Sequence, residues 1–361
     1  MTAQAAVVWA GFGLGVVLGM AGRLSSFCLY RGLRESWRGG DGRPLRTFAL
    51  ALLVAVLGTQ LLLASGAIDL TQTVYLRPSF SVVTLLLGGL MFGGGMVLAN
   101  GCGFRALVLL GGGNLRSLVV LMCLGIAAYA ALTGVLAPWR TALGQIARVD
   151  FATRPTLPGA LAEAGLATGW ATLLVTAAIA VALVAFIGRD PAFRREPALV
   201  AGGIAIGLSI VAGWAGTGIL GADDFEPVPL ASASFIVPIG DALLLLMQAT
   251  GRTIAFGPAL VAGVVCGSLL MAAMRGELRS EGFSATHPMG RYLAGGALMG
   301  VGGVLAIGCS IGQGLTGAST LALSSLIAMA GILAGTALTL RFATGDTGFS
   351  TRKNTKREEA T

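Results

Sequence analysis

The chain has 361 residues, of which 55% are hydrophobic and only 11% are charged, and its mean hydropathy is +0.84. Soluble domains carry roughly 25% charged residues, so this composition excludes a soluble globular protein and predicts an all-α integral membrane protein. The net charge of +8 does not indicate nucleic-acid binding, because the basic residues lie between apolar runs, where they orient helices in the lipid bilayer.

Nine apolar runs follow one another along the chain, and each is long enough to cross a membrane. None of them contains Asp, Glu, Lys, Arg or His. The first run lacks a preceding basic segment, so we interpret it as a retained helix and not as a cleaved signal peptide. The nine predicted spans are Ala5–Gly22, Thr47–Ser65, Ser81–Leu98, Ser117–Leu136, Ala167–Ile187, Leu199–Leu220, Gly257–Met274, Tyr292–Ile307 and Ala318–Leu340.

The basic residues predict the orientation of these spans. With the N-terminus outside, nineteen of the 24 Lys and Arg residues fall in inside segments and five fall outside. This bias predicts a multi-pass protein of the bacterial inner membrane with a periplasmic N-terminus and a cytoplasmic C-terminus. Residues 1–341 are expected to form one transmembrane domain, and the polar residues 342–361 a mobile cytoplasmic tail. The sequence does not decide the structure of the outer loop 137–165.

Two segments of the chain are nearly identical. GGLMFGGGMVLANGC, which ends at Cys102, and GGALMGVGGVLAIGC, which ends at Cys309, agree at nine of fifteen positions. This predicts two four-helix repeats, at about 5–136 and 199–340, joined by a connecting helix at about 167–187. Because an odd number of crossings separates equivalent helices, the two repeats are predicted to be inverted, as in many transporters, whose substrate sites lie between the repeats.

Gly-rich segments follow both repeated cysteines, at Cys102–Ser117 and Cys309–Thr320. Irregular backbone at membrane depth is tolerated only where it is buried in protein or lines a cavity. We therefore predict re-entrant loops or broken helices that meet near the centre of the protein. Ordinary tight turns at the membrane faces are the alternative.

The chain contains five cysteines and a single histidine, and no CxxC pair. This pattern argues against zinc, an iron–sulfur cluster or another cofactor, and the odd count argues against a disulfide framework. Cys123 lies in the middle of an apolar helix and is expected to be a packing residue. Cys102 and Cys309 are the leading candidates for function because both end duplicated helices, whereas Cys28 and Cys266 are undecided.

The Arg23–Cys28 segment RLSSFC and the two Gly-Cys segments together resemble the YeeE/YedE family of membrane proteins, which import thiosulfate or related sulfur compounds. The resemblance extends from about Gly11 to Leu340. It implies an inverted repeat of nine helices with re-entrant elements and a path lined by thiols. Cys102 and Cys309 would be the main substrate contacts, and Cys266 a third path thiol. Any TusA-like sulfur carrier on the cytoplasmic side would be a separate chain.

Thiosulfate is a dianion with a soft terminal sulfur, and a thiol offers it a weak donor and a polarizable contact. The N-termini of half-helices would offset its charge. Arg105 is expected either at the inner mouth or as an orienting charge, and Asn100, Ser310 and Gln313 as further donors. Cys28 is included in the predicted path.

The function predicted from the sequence is uptake of thiosulfate, or of a closely related compound, without chemical conversion. The nine spans contain no acid or histidine for proton coupling, so facilitated passage is expected. The alternatives are an intramembrane enzyme that transfers sulfur through cysteine persulfides, a transporter for a selenium compound or another sulfur oxyanion, and a structural membrane protein. The last leaves the duplicated Gly-Cys segments unexplained.

Overall fold

Long helices separated by short ones make up nearly all of the structure. The computed structural model describes residues 3–151, 154–163, 165–222, 228–278 and 289–342, so the predicted tail lies outside the described residues from position 343 onward. The helices are α1 Ala3–Ser25, α2 Leu29–Arg34, α3 Arg43–Ala64, α4 Val82–Leu98, α5 Gly103–Gly111, α6 Leu115–Leu132, α7 Ala137–Gln145, α8 Leu157–Glu163, α9 Thr168–Gly188, α10 Pro191–Arg194, α11 Pro197–Ile219, α12 Ile236–Met247, α13 Phe256–Met274, α14 Met289–Leu305 and α15 Leu323–Phe342. Short 3₁₀ turns lie at Leu70–Gln72 and Val74–Leu76, and π-helical turns at Glu35–Gly39 and Gly312–Gly317.

The integral membrane class is confirmed, and each of the nine predicted spans overlaps a long helix. Within the described residues, eight stretches are long and apolar enough to cross a membrane. The predicted span Tyr292–Ile307 corresponds to α14, which has only 17 residues. The last helix begins at Leu323, and not at Ala318 as predicted, because Leu321 adopts a left-handed conformation and Ala322 pairs with Thr156.

The outer loop that the sequence left undecided is partly helical. It contains α7 and α8, and between them strand β2 (Arg148–Asp150) pairs antiparallel with β1 (Ser79–Ser81). Phe80 of β1 stacks on Phe151 with ring centroids 5.5 Å apart. Backbone hydrogen bonds also join the loop to the start of α15, from Leu157 N–H to the Leu321 carbonyl and from Leu323 N–H to the Pro155 carbonyl. The loop therefore covers one end of the helix bundle.

Glycines bring the backbones of neighbouring helices into direct contact. A Cβ added to Gly15 of α1 would lie 2.8 Å from the Cα of Gly263 in α13, and one added to Gly88 of α4 would lie 2.7 Å from the carbonyl oxygen of Gly302 in α14. Lipid gives apolar helices no hydrophobic reward for associating, so close packing at small residues has to hold them together. This accounts for many of the 56 glycines in the chain.

The long helices of the first half pack mainly on those of the second half. Helix α1 packs along α13 and α11, α3 along α11, α4 along α14 and α15, and α6 along α14. Helix α9 lies at the periphery, where Ala171 is its one buried residue and α3 and α8 are its main neighbours. The predicted two-fold relation would exchange the pair α1–α13 with α11–α3 and the pair α4–α15 with α14–α6. The inversion itself stays a prediction.

We expect the C-terminus and the loop Arg23–Arg46 to face the cytoplasm, and the loop 137–165 to face the periplasm, because of the distribution of basic residues. Fusions of alkaline phosphatase and of a fluorescent protein at Thr361 and at Gly144 would measure this. An active alkaline phosphatase and a non-fluorescent reporter at Thr361 would place the C-terminus in the periplasm. That result would contradict both the orientation and the odd number of crossings.

We expect Gly15→Ala to destabilise the protein by about 1–3 kcal/mol, because the added methyl group has no room between α1 and α13. Gly13→Ala on the same helix is the matched control: a Cβ there meets nothing within 4 Å, so it should be neutral or slightly stabilising. Thermal unfolding of the purified protein in detergent compares them. Equal melting temperatures would show that the α1–α13 contact is not tight.

Candidate functional site

The two repeated segments break their helices in the same way. Asn100 and Ile307, each two residues before a cysteine, both have a φ angle of 57°. The next residue closes the helix end in both cases, from Gly101 N–H to the Met96 carbonyl and from Gly308 N–H to the Gly303 carbonyl. This conformation is rare for a β-branched residue such as Ile307. The duplication therefore preserves the backbone break as well as the sequence.

Two of the five cysteines meet behind these breaks, and the residue that follows a third cysteine contacts one of them. Cys28, Cys102 and Cys309 are all buried, and the thiol of Cys28 lies next to that of Cys102. The hydroxyl of Ser310, which follows Cys309 in the chain, lies beside the Cys102 thiol on its other side. These four side chains, which we call the thiol cluster, join segments from both halves of the chain.

Helix N-termini converge on the thiol cluster. Cys102 is the N-cap residue of α5, and Cys28 is that of α2. The Cys309 sulfur accepts a hydrogen bond of 3.2 Å from the backbone N–H of Gly312, and it also faces the N–H of Phe235, the N-cap residue of α12. The first N–H groups of a helix have no partner within it and carry partial positive charge. The surroundings of the cluster therefore favour an anion.

Aromatic rings pack around the thiol cluster. Phe27 stacks on Phe48 and meets Phe104 edge to face, and the ring of Phe104 lies 5.1 Å from that of Phe235. All four rings are buried. The sequence reasoning missed them, although the repeated Ser-Phe pairs at Phe27 and Phe235 were a usable signal.

Two polar side chains near Cys309 have unused hydrogen-bonding capacity. The Gln313 side chain is fully buried, and its Nε2 donates to the Ala306 carbonyl at 2.6 Å. Its Oε1 and the hydroxyl oxygen of Ser310 have no hydrogen-bond partner among the described residues. Buried polar atoms are normally paired, so these two side chains retain hydrogen-bonding capacity for a bound molecule.

Two cavities open at the end of the molecule that carries Arg23, Arg105, Arg116 and Arg275, which we call the basic end. The larger, of about 520 Å³, reaches Phe27 and is lined by Arg23, Arg105 and Arg275. The smaller, of about 270 Å³, is lined by Asn100, Cys102 and Arg105. Arg105 therefore borders both cavities. Its guanidinium makes no ion pair or hydrogen bond with any other part of the chain that the structure describes.

The remaining predicted site residues lie outside the cluster. Asn100 is at the basic end, where its Oδ1 accepts a hydrogen bond of 3.4 Å from Arg34. Cys266 is exposed on the outer surface of α13, because its neighbour Gly267 faces α1, and so it does not join the other thiols. The third cysteine of the thiol cluster is Cys28 and not Cys266. Cys123 is half-buried on α6, where it packs on Gly296.

The sequence model of a family described as sulphur transport matches residues 24–338 of the chain. The chain is also similar to two curated proteins that carry the name thiosulfate transporter TsuA. It is 28% identical to the one from Spirochaeta thermophila over 338 residues, which cover 89% of this chain and 94% of that protein. It is 25% identical to the one from Escherichia coli over 336 residues, covering 86% and 87%.

We expect Cys102 to react faster than Cys309 with a small anionic methanethiosulfonate reagent, because Cys102 lines the smaller cavity at the basic end whereas Cys309 lines neither of the two cavities there. The rates should be measured on two detergent-purified variants that each keep one of these cysteines. A variant with no cysteine gives the background. Equal rates would show that the solvent reaches both thiols alike.

Proposed function

This chain belongs to the sulphur transport family, and we propose that it carries thiosulfate, or a closely related sulfur oxyanion, inward across the bacterial inner membrane through the thiol cluster. The name thiosulfate transporter, which both relatives described above carry, supports the substrate class. The proposal also includes the cysteine-lined path, the direction of transport and the orientation with the N-terminus in the periplasm.

The observation that carries the proposal is the meeting of soft thiols and helix N-termini at one buried place. A dianion there would be stabilised by the first N–H groups of α5 and α12, without a cationic side chain in the cluster itself. Thiols contact its terminal sulfur weakly. A path needs contacts that admit an ion and also release it. Partial charges and soft contacts allow release, whereas buried arginines would bind an oxyanion tightly.

The order of the side chains suggests a route. The ion would pass from Gln313 and Cys309 to Ser310, then to Cys102 and Cys28, and would leave through the cavities at the basic end. Arg105, whose guanidinium borders both cavities, would receive the ion there. The exchange of helix pairs between the two halves supports an inverted repeat with this route near its axis.

We propose facilitated passage, with consumption of sulfur in the cytoplasm as the sink. Asp241 on α12 is an acid close to the bundle, but it accepts a hydrogen bond from the Tyr129 hydroxyl and lies 3.7 Å from Arg252. It is therefore occupied by local partners and is not offered to a coupling ion. A separate TusA-like sulfur carrier would take over the sulfur at the basic end.

The contact between Cys28 and Cys102 favours one alternative, sulfur transfer through a persulfide. One thiol would attack the terminal sulfur of thiosulfate, form a new S–S bond and break the old one, leaving a persulfide that keeps the thiol proton and releasing sulfite. Thiosulfate labelled differently at its two sulfurs separates the mechanisms. Arrival of the intact double label inside supports transport, and a trapped persulfide on Cys102 supports the enzyme.

We expect Cys102→Ala and Cys309→Ala each to reduce thiosulfate uptake about tenfold or more, which corresponds to ~1.4 kcal/mol. Each substitution removes one sulfur and should lower stability by only about 1 kcal/mol, so a large defect in a folded protein indicates contact with the substrate. Uptake of labelled thiosulfate by a bacterium that lacks its own uptake system gives the rate.

Cys123→Ala and Cys266→Ala are the matched controls, because these thiols lie outside the cluster. Both should import at the parental rate. The site assignment is wrong if Cys102→Ala and Cys309→Ala also do so. Ser at either position tests the role of the sulfur, since a hydroxyl keeps a donor but loses the polarizable contact.

A further inference from the structure

A carboxylate stands between two arginines in the larger cavity of the basic end. Glu277 Oε2 lies 3.3 Å from Arg23 Nε, and Glu277 Oε1 lies 3.2 Å from Arg275 Nε. The three residues all line the cavity, together with Arg105. One acid therefore divides its two oxygens between two guanidinium groups, in the space that an ion leaving the thiol cluster would enter.

Arg23 is held in place independently of that carboxylate. Its Nη2 donates to the backbone carbonyl of Glu277 at 3.2 Å, and its guanidinium lies directly over Gly112, where a side chain would displace it. The side chain is only 16% exposed. Removal of the Glu277 charge should consequently leave the guanidinium where it is, with its positive charge no longer neutralised.

The charges of the cavity are unequal. Among the described residues that line it, three guanidinium groups, those of Arg23, Arg105 and Arg275, face one carboxylate. Guanidinium groups bind oxyanions through charge-assisted and often bidentate hydrogen bonds. Three of them without an acid would hold a dianion strongly, and this would slow its departure from a transport path.

We propose that this cavity is a second anion site, at the exit of the path, and that Glu277 is a tethered competitor that keeps its affinity low. In the empty site the carboxylate occupies Arg23 and Arg275, and Arg105 is the one of the three guanidinium groups that has no ion pair among the described residues. An entering divalent oxyanion contacts Arg105 and must compete with Glu277 for the other two guanidinium groups. The identity of the natural anion rests on the function proposed above, whereas the competition does not.

Glu277→Gln tests this, because the amide keeps the size of the side chain and removes its charge. We expect the purified full-length variant to bind thiosulfate and inorganic sulfate about three- to tenfold more tightly than the parent, from the loss of two partly exposed ion pairs. Thiosulfate uptake should become slower at saturation. Arg275→Gln and Arg105→Gln should change the affinity in the opposite direction.

Asp150→Asn is the matched control. It neutralises a carboxylate that lies 3.0 Å from Arg148 on β2. The strand pair β1–β2 adjoins the start of α4, whereas the cavities of the basic end adjoin its end, so this variant should change neither affinity nor uptake. The melting temperatures of all variants should be measured, because values equal to that of the parent exclude a general loss of structure.

Unchanged sulfate and thiosulfate affinities in Glu277→Gln would overturn the inference, as would increased affinity in Arg275→Gln. The outcome is separable from the main proposal. If the parent carries no thiosulfate but Glu277→Gln binds sulfate more tightly than the parent does, the proposed function fails and the exit site stands.

Discussion

Direct contact between helix backbones is the constraint on which the rest of the structure depends. Helices α4 and α14, which precede the two Gly-Cys breaks, touch each other through the repeated glycines themselves: Gly88 meets α14 near Gly302, and Gly95 meets it near Gly295. In lipid, only such close packing keeps two apolar helices together. The contact sets the distance between the two breaks, and with it the meeting of Cys102 with Ser310.

In the proposed path, the same breaks allow an anion to lie within an apolar protein. A full positive charge in the bilayer is costly and binds an oxyanion tightly. The ends of α5 and α12 would take the place of such a charge, because partial charges created by interrupting helices need no ionised side chain. Arginines line the cavities at the basic end, around Arg105, where water and salt screen their charge.

The sequence predicted the membrane class and the helices, and it named all three cluster thiols as candidates, because hydropathy and internal repetition are local signals. It failed where the outcome depended on which face of a helix meets a neighbour. Cys266 was predicted to join the other thiols, but Gly267 takes the buried position on α13 and the Cys266 thiol is exposed, outside the cluster. The contacts of Cys28 with Cys102 and of Phe27 with Phe104 join distant segments of the chain, and no periodicity records such contacts. The strand pairing of the outer loop is likewise a contact between distant segments.

The two halves have also diverged at the point where they are most alike. Cys102 is followed by the nine-residue α-helix α5, and Cys309 by a π-helical turn, and the residue three positions on is Arg105 in one half and Gly312 in the other. An inverted carrier with identical halves would have inward-open and outward-open states of equal energy. Two unlike segments at equivalent positions remove that degeneracy. If the two repeats are inverted as predicted, the preference for the conformation described here, with its cavities at the basic end, would follow from the difference between the copies. Restoring symmetry at these positions would then bring the two conformations closer in population.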